Sequence, residues 1–324
     1  MNDSSSTVWR RLGWWLEAAS YDLASFLLRS LPLDSASALG GAVVGLLGPL
    51  TSKQAIVLRN LELAFPELGP SERRRIAAAF WNGLGRTVAE FPLMDRLMSG
   101  NGRVEVVGME RLKHIASDGQ PVVLVSGHLA NWEVMVAVIA ASDPKCRFSY
   151  RPSNNPYVDR RITDNRRRFG VELFAPKGGD GTREMLSALR RGEAVALLND
   201  QRDNAGIEAP FFGDVVRTAP GPARFAQKSG GRLVPMSVER LKGARFRVTV
   251  HEPIAIESSG DRAQDLKVAV TRINAFVEAR IRARPEQWLW AHRRWPLERY
   301  AGSRGGGRAQ RLDEDAAAVI SSSP

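Results

Sequence analysis

Three of the chain's four histidines occupy ordinary settings: His114 in a polar helical stretch, His251 at the end of a β-rich run, and His292 inside the basic segment WLWAHRRW. His128 differs. In VVLVSGHLANWEVMVAVIA an apolar, β-branched run leads into Ser126-Gly127-His128, and an apolar helical stretch begins near Asn131. The imidazole therefore falls where the carboxyl end of a strand turns into a helix, the ligand-binding edge of an α/β sheet. Glu133 follows five residues later, and on one continuous helix that spacing would splay the two side chains by about 140°. They converge only if His128 stays in the loop, Asn131 caps the helix and Glu133 occupies its first turn, where the helix dipole favours a carboxylate. A carboxylate bonded to one ring nitrogen fixes the tautomer and leaves the other nitrogen as a general base. The result is a catalytic triad lacking its nucleophile, so the nucleophile would be a hydroxyl on the substrate. The same spacing also arises where a glutamate merely supports a helix N-terminus beside a satisfied loop histidine.

Further polar residues cluster downstream. Between Lys145 and Arg191 there are twelve Lys or Arg residues against five acids. Planar guanidinium groups suit phosphate recognition, although a solvated basic helix face accounts for most of them. In LLNDQRDNAG a second apolar run ends at Asn199-Asp200, with Arg202 beside it. A carboxylate at that strand end either orients a substrate or caps a turn. Phe211-Phe212 precede a Gly turn, and either meet acyl chains or membrane, or pack on the core. No G-x-S-x-G elbow, P-loop or H-E-x-x-H occurs, which disfavours an ordinary serine hydrolase, a P-loop nucleotide site and a zincin. The single cysteine, Cys146, excludes an intramolecular disulfide framework and a Cys-cluster zinc site.

The elements that must position these residues follow from patterning. The runs 121–126, 193–198, 232–238 and 246–252 are apolar and β-branched, while 131–142, 156–168, 181–191, 218–229 and 263–283 read as amphipathic helices. Alternating strands and helices predict an α/β sheet with helices on its faces. Residues 53–98 read as helical, with a start at Pro70-Ser71-Glu72 and an apolar stripe at Ile76, Phe80, Leu84 and Val88.

The first fifty residues are set apart. Residues 8–31 place Trp9, Trp14, Trp15, Tyr21 and Phe26 among Leu and Ala behind Arg10 and Arg11, and residues 36–50 are uncharged and Gly-rich. Glu17, Asp22 and Arg29 interrupt any transmembrane or signal-peptide reading of the first stretch, and the second is short for a span. Aromatics at headgroup level with arginines on phosphates predict an anchor in the plane of a membrane; a buried helical hairpin is the alternative. The division expected is therefore 1–52 membrane-associating helices, 53–300 an α/β domain, and 301–324 a disordered Gly/Ser/Ala-rich tail.

Composition narrows the class further. The chain has 324 residues, 44% hydrophobic and 25% charged, ordinary globular values that exclude wholesale disorder. Its formal charge of +11 directs it toward anions: nucleic acid, an acidic membrane surface or phosphorylated substrates. A nucleic-acid reader would need a recognition motif or aromatics interleaved with the basic stretch. The tryptophans concentrate instead near the termini, so no nucleic-acid partner is expected.

Taken together, NLELAFPEL (60–68), SGHLANWE (126–133), YRPSNNPYVDRRI (150–162), NRRRFG (165–170), LLNDQRDN (197–204), APFFGDVVRTAPGPARFA (209–226) and LVPMSVER (233–240) resemble the bacterial late acyltransferases of lipid A biosynthesis. Those enzymes are similar in turn to phosphatidylinositol mannoside acyltransferases and, more distantly, to glycerolipid acyltransferases. The likeness runs in order through residues 10–296. It implies a glycerolipid-acyltransferase-like fold with a central mixed sheet flanked by helices, on the cytoplasmic face of a bacterial inner membrane. It also implies transfer of a fatty acyl group from acyl carrier protein, as co-substrate, to a hydroxyl of a lipid A precursor, with no cofactor and no metal. Under the family's H-x4-D/E motif, His128 is the general base and Glu133 its partner. Arg151, Arg166, Asp200 and Arg202 are the expected substrate-binding residues, and Val234-Pro235 matches a strand-Pro motif that supports the site. An enzyme acylating another glycolipid or a lysophospholipid is the alternative that these motifs leave open.

Overall fold

The computed structural model describes residues 3–100, 102–117, 119–143, 145–171, 174–176 and 179–300. The tail 301–324, Lys177 and the side chain of His114 lie outside the described residues. Two helices, α1 (Asp3–Arg29) and α2 (Leu33–Leu47), are followed by α3 (Lys53–Ala64), α4 (Pro70–Glu90) and the single turn α5 (Met94–Leu97). Strands and helices then alternate: β1 (Val104–Val107), α6 (Met109–Ser117), β2 (Val122–Ser126), α7 (Trp132–Ser142), β3 (Arg147–Tyr150), α8 (Pro156–Arg168), β4 (Phe174–Pro176), α9 (Gly179–Arg190) and β5 (Ala194–Leu198). A hairpin of β6 (Arg202–Phe211) and β7 (Asp214–Thr218) precedes α10 (Gly221–Ser229), β8 (Arg232–Arg240), β9 (Phe246–Val250) and α11 (Arg262–Ala283).

Seven strands form one sheet in the order β1-β9-β8-β2-β5-β3-β4. Every pairing is parallel except β8 with β9, so the sheet is mixed, as expected. The central strand β2 is buried along its whole length, which is why it reads as an unbroken apolar run. Its side chains divide between two cores. Leu124 faces α7 with Val134, Met135 and Val138, while Val123 and Val125 pack with Met185, Phe225, Val270 and Ile273 from the helices on the other face.

The β6–β7 hairpin is the one large feature that patterning did not separate from the sheet. Its two-residue turn, Phe212-Gly213, holds both residues at positive φ (51° and 75°), the backbone twist that tight hairpins require. Phe211 and Phe212 are buried against Trp288, Trp295 and Phe65, which decides between packing and lipid contact at these two rings in favour of packing.

The helices α1 and α2 are fastened to the domain yet leave apolar faces bare. Asp22 accepts both arms of Arg161 (2.6 and 2.5 Å), Asn155 donates to the carbonyl of Trp14 (2.9 Å), and Arg29 grips Asp95 (2.7 Å). The crossing of α2 on α4 is backbone against backbone: a Cβ on Gly85 would lie 2.1 Å from the Gly40 carbonyl oxygen. On their outer sides α1 exposes Trp9, Trp15, Leu23 and Phe26, and α2 exposes Leu39, Val43, Leu46 and Leu47, with Leu50 exposed in the turn that follows. By length and composition alone, Leu33–Leu50 is long and apolar enough to cross a membrane. Along α4, Ile76 and Phe80 are buried as the stripe predicts, but Val88 is 59% exposed, on the side that α2 and the sheet leave uncovered.

Candidate active site

The site is built by strand register. β2 and β5 are parallel neighbours with Ser126 opposite Leu198, and the Asn199 N–H continues the ladder by donating to the Ser126 carbonyl (2.8 Å). His128 and Asp200 each lie two residues beyond that last pair, so the two chain ends deliver them side by side. Asp200 Oδ1 accepts from His128 Nδ1 (2.7 Å), and Oδ2 accepts from the His128 backbone N–H (2.6 Å) and from Trp288 Nε1 (2.7 Å). Gly127 makes this approach possible, because a Cβ there would stand 2.9 Å from Asp200 Oδ2.

Burial alone would raise the Asp200 carboxyl. The charge of His128 and its hydrogen bonds, with His292 nearby, outweigh that and hold the group well below the usual carboxylate range. An ionised carboxylate on Nδ1 keeps the proton on that nitrogen and leaves Nε2 free to act as a base. His292 itself is pushed down to about 4 by burial, with Nδ1 donating to the Leu289 carbonyl (2.7 Å).

Glu133 sits where the sequence places it, in the first turn of α7, with Asn131 as N-cap accepting from the Glu133 N–H (3.2 Å). Its carboxylate does not bond His128. Both oxygens are taken by Arg166, from the last turn of α8, at 3.0 and 2.6 Å. The partner of the imidazole is therefore Asp200, a residue expected only to contact substrate, and the partner of Glu133 is Arg166. The guanidinium fork matches a carboxylate's geometry in a way one imidazole N–H does not. Arg166 also lies over the rings of Tyr150 (5.4 Å) and Phe91 (5.9 Å). Burial would lower its pKa, and the Glu133 charge reverses that, so it stays cationic.

His128 of the first pair and both members of the second line one cavity of about 430 Å³. Its mouth holds His128, Glu133, Tyr150, Arg151, Arg166 and Gln201, and its depth is apolar, with Leu124, Met135, Val136, Ile139, Phe148 and Met236. Arg151 is exposed at this mouth. Arg202 is not brought there: it lies on β6 opposite Thr218 and does not line the cavity. Gln201, one residue earlier, takes that place. Trp288 and Trp132 were missed by sequence reasoning. The tryptophans flanking His292 signalled a basic terminal segment, whereas Trp288, Trp290, Arg294 and Trp295 are fully buried. Among the described residues, no group of three His, Cys, Asp or Glu side chains is placed to hold a metal ion.

A histidine held by a buried carboxylate thus lines a largely apolar pocket. The family model for bacterial lipid A biosynthesis acyltransferases matches residues 3–296. The chain belongs to this family. It is an acyltransferase. Relatives within the family include the lipid A biosynthesis lauroyltransferase of Escherichia coli, 29% identical over 74% of this chain and 78% of that one. The palmitoleoyltransferase of the same organism is 28% identical, covering 76% and 79%. A phosphatidylinositol mannoside acyltransferase of Mycolicibacterium smegmatis is 24% identical, covering 70% and 73%. The H-x4-E spacing of His128 and Glu133 brings the two side chains into no hydrogen bond, since the glutamate is engaged by Arg166 and the histidine by Asp200.

Proposed function

We propose that this lipid A biosynthesis acyltransferase takes its fatty acyl group from the thioester of acyl carrier protein and transfers it to a hydroxyl of a lipid A precursor at the cytoplasmic face of the inner membrane. The observation that carries this reading is His128, fixed by the buried Asp200 at the mouth of an apolar cavity. The acyl chain lies in the cavity with its thioester carbonyl at the mouth. Nε2 of His128 removes the acceptor hydroxyl's proton as the oxygen attacks that carbonyl. The tetrahedral intermediate then collapses, breaking the C–S bond, and the imidazolium returns the proton to the departing thiolate.

The first backbone N–H groups of the loop are already engaged: Leu129 donates to Gly127, Ala130 to Gln287 and Glu133 to Asn131. We assign the oxyanion to side-chain donors at the mouth, Arg151, Gln201 and Arg166. Glu133 serves the reaction by orienting Arg166. Substrate phosphates meet Arg151, and the exposed Arg160 and Arg167 of α8 steer an acidic carrier, an attraction that salt weakens. The bare apolar faces of α1 and α2 rest on the anionic membrane surface. No cofactor is needed for this sequence of steps.

The test is a purified-enzyme assay with acyl carrier protein thioesters and the tetra-acylated lipid A precursor. One acyl group per acceptor is expected, and His128→Ala should lower kcat by about 10² to 10⁴. Near-native turnover in that variant would reject the base assignment. Turnover with other thioesters but not with the carrier protein's would reject the donor. The mannoside acyltransferase relative favours a second acceptor class; mass spectrometry of lipids from a deletion strain separates the two, since loss of a secondary chain from lipid A identifies the first.

A further inference from the structure

We propose that a second cavity, between α4, the His128–Trp132 loop and residues 286–289, receives an alkyl chain of the lipid acceptor, so that His128 stands between donor and acceptor chains. The inference rests on the acyl-transfer reading above. This cavity encloses about 290 Å³ and is walled chiefly by apolar atoms of Phe80, Leu84, Ala130, Trp288 and Leu289. His128 and Trp132 line both cavities, and their rings pack edge to face with centroids 5.1 Å apart. These two side chains are common to the linings of both cavities.

A base that lines both cavities suits a reaction between two lipids: the donor's chain fills one cavity and leaves the other for a chain of the acceptor. The second cavity is roomy where a chain would lie. Gly83 faces it, and a Cβ there would have the Glu286 carbonyl oxygen, 3.9 Å away, as its nearest neighbour. Its rim adjoins the apolar helix: Asn82 and Arg86 line the cavity and also press on α2, since a Cβ on Gly41 would meet both at 2.9 Å. The opposite face of α2 is the exposed row of Leu39, Val43, Leu46 and Leu47.

The wall is also held rigidly. Ala130 sits at φ 44°, a region unfavourable for any residue but glycine, and is pinned there by its N–H to Gln287 (2.6 Å) and its carbonyl to Thr87 Oγ1 (3.2 Å). Leu289 donates to the His128 carbonyl (3.1 Å), so the far wall and the catalytic loop are one unit.

The experiment fills each cavity separately in the full-length chain. Gly83→Leu should raise KM for the tetra-acylated precursor by about tenfold while leaving donor KM and donor chain-length preference unchanged. Val136→Phe, in the first cavity, should shift donor preference to shorter chains and leave acceptor KM unchanged. Ala79→Leu, one turn earlier on α4, repeats the Gly83 test should that variant fold poorly, as judged by Tm. An unchanged acceptor KM in the folded fillers, or a change in donor preference, overturns the inference. A binding arm separates it from the functional reading. An N-acylated glucosamine with a brominated chain should quench tryptophan fluorescence saturably in the wild type and not in Gly83→Leu. That pattern without any transfer to the lipid A precursor keeps the cavity and discards the acceptor; absence of saturable quenching in the wild type discards the cavity.

Discussion

Two buried carboxylates meet in this site, and they do different work. Asp200 holds an imidazole through Nδ1. Glu133 holds a guanidinium that never loses its charge. Asp200 receives three donors, two of them from His128 itself and one from Trp288, so it fixes both a ring and a loop. Glu133 receives a two-armed fork and ties α7 to α8 across the mouth of the cavity. One carboxylate sets a tautomer, and the other sets a position.

The contrast is broken most sharply at Asp200. Asp200→Asn should leave the fold intact yet permit the wrong tautomer, and kcat should fall by about 10³ to 10⁴ with acceptor KM little changed. If Glu133→Gln shows that loss instead and Asp200→Asn does not, the two roles are reversed. Next in size is Glu133→Ala, which strands a buried arginine and should cost about 3–5 kcal/mol of stability in urea unfolding. Adding Arg166→Ala should recover part of that loss, since the two changes share one interaction. A pair whose effects simply add would show that the fork contributes nothing.

Acid sharpens the comparison from another side. His292, beside Asp200, is kept neutral at pH values where the unfolded chain protonates it: about 4 folded against 6.5 unfolded. The unfolded state therefore binds more protons in that window, and stability present above pH 6.5 is lost as the pH falls toward 4, by at most about 3 kcal/mol from this group. Denaturation midpoints against pH should show a smaller loss in His292→Phe; an identical slope would show that the histidine does not titrate as described. The smallest effect expected is that of Gly127→Ala. Its methyl pushes on Asp200, and kcat should fall by about tenfold, with thermal unfolding barely changed.

Much of this was legible in the chain. Parallel strands buried on both faces announce themselves as apolar runs, and β2, β5, β8 and β9 lie where those runs fall. The helix cap at Asn131 and the loop position of His128 were legible where the apolar strand pattern gives way to the apolar helix, although the convergence with Glu133 that also argued for them does not occur. What spacing does not carry is register between strands distant in sequence: His128 and Asp200 are 72 residues apart, and nothing local says that Ser126 pairs with Leu198. Glu133 drew the assignment because it was near in sequence, while the arginine that claims it comes from another helix. The short strands β3 and β4 at one end of the sheet and the β6–β7 hairpin were missed for a related reason. Their apolar content is low, and pairing rather than propensity makes them strands.

The shared offset of His128 and Asp200 from their strand ends makes the reaction centre a matter of counting. Inside β2 and β5 one aliphatic side chain can replace another while the ladder endures. Between each ladder's last rung and its working residue lie two peptide steps, and adding or removing one would swing the imidazole or the carboxylate to the opposite side of the sheet. Chemistry here tolerates new letters in the strands far better than it tolerates a changed tally of them.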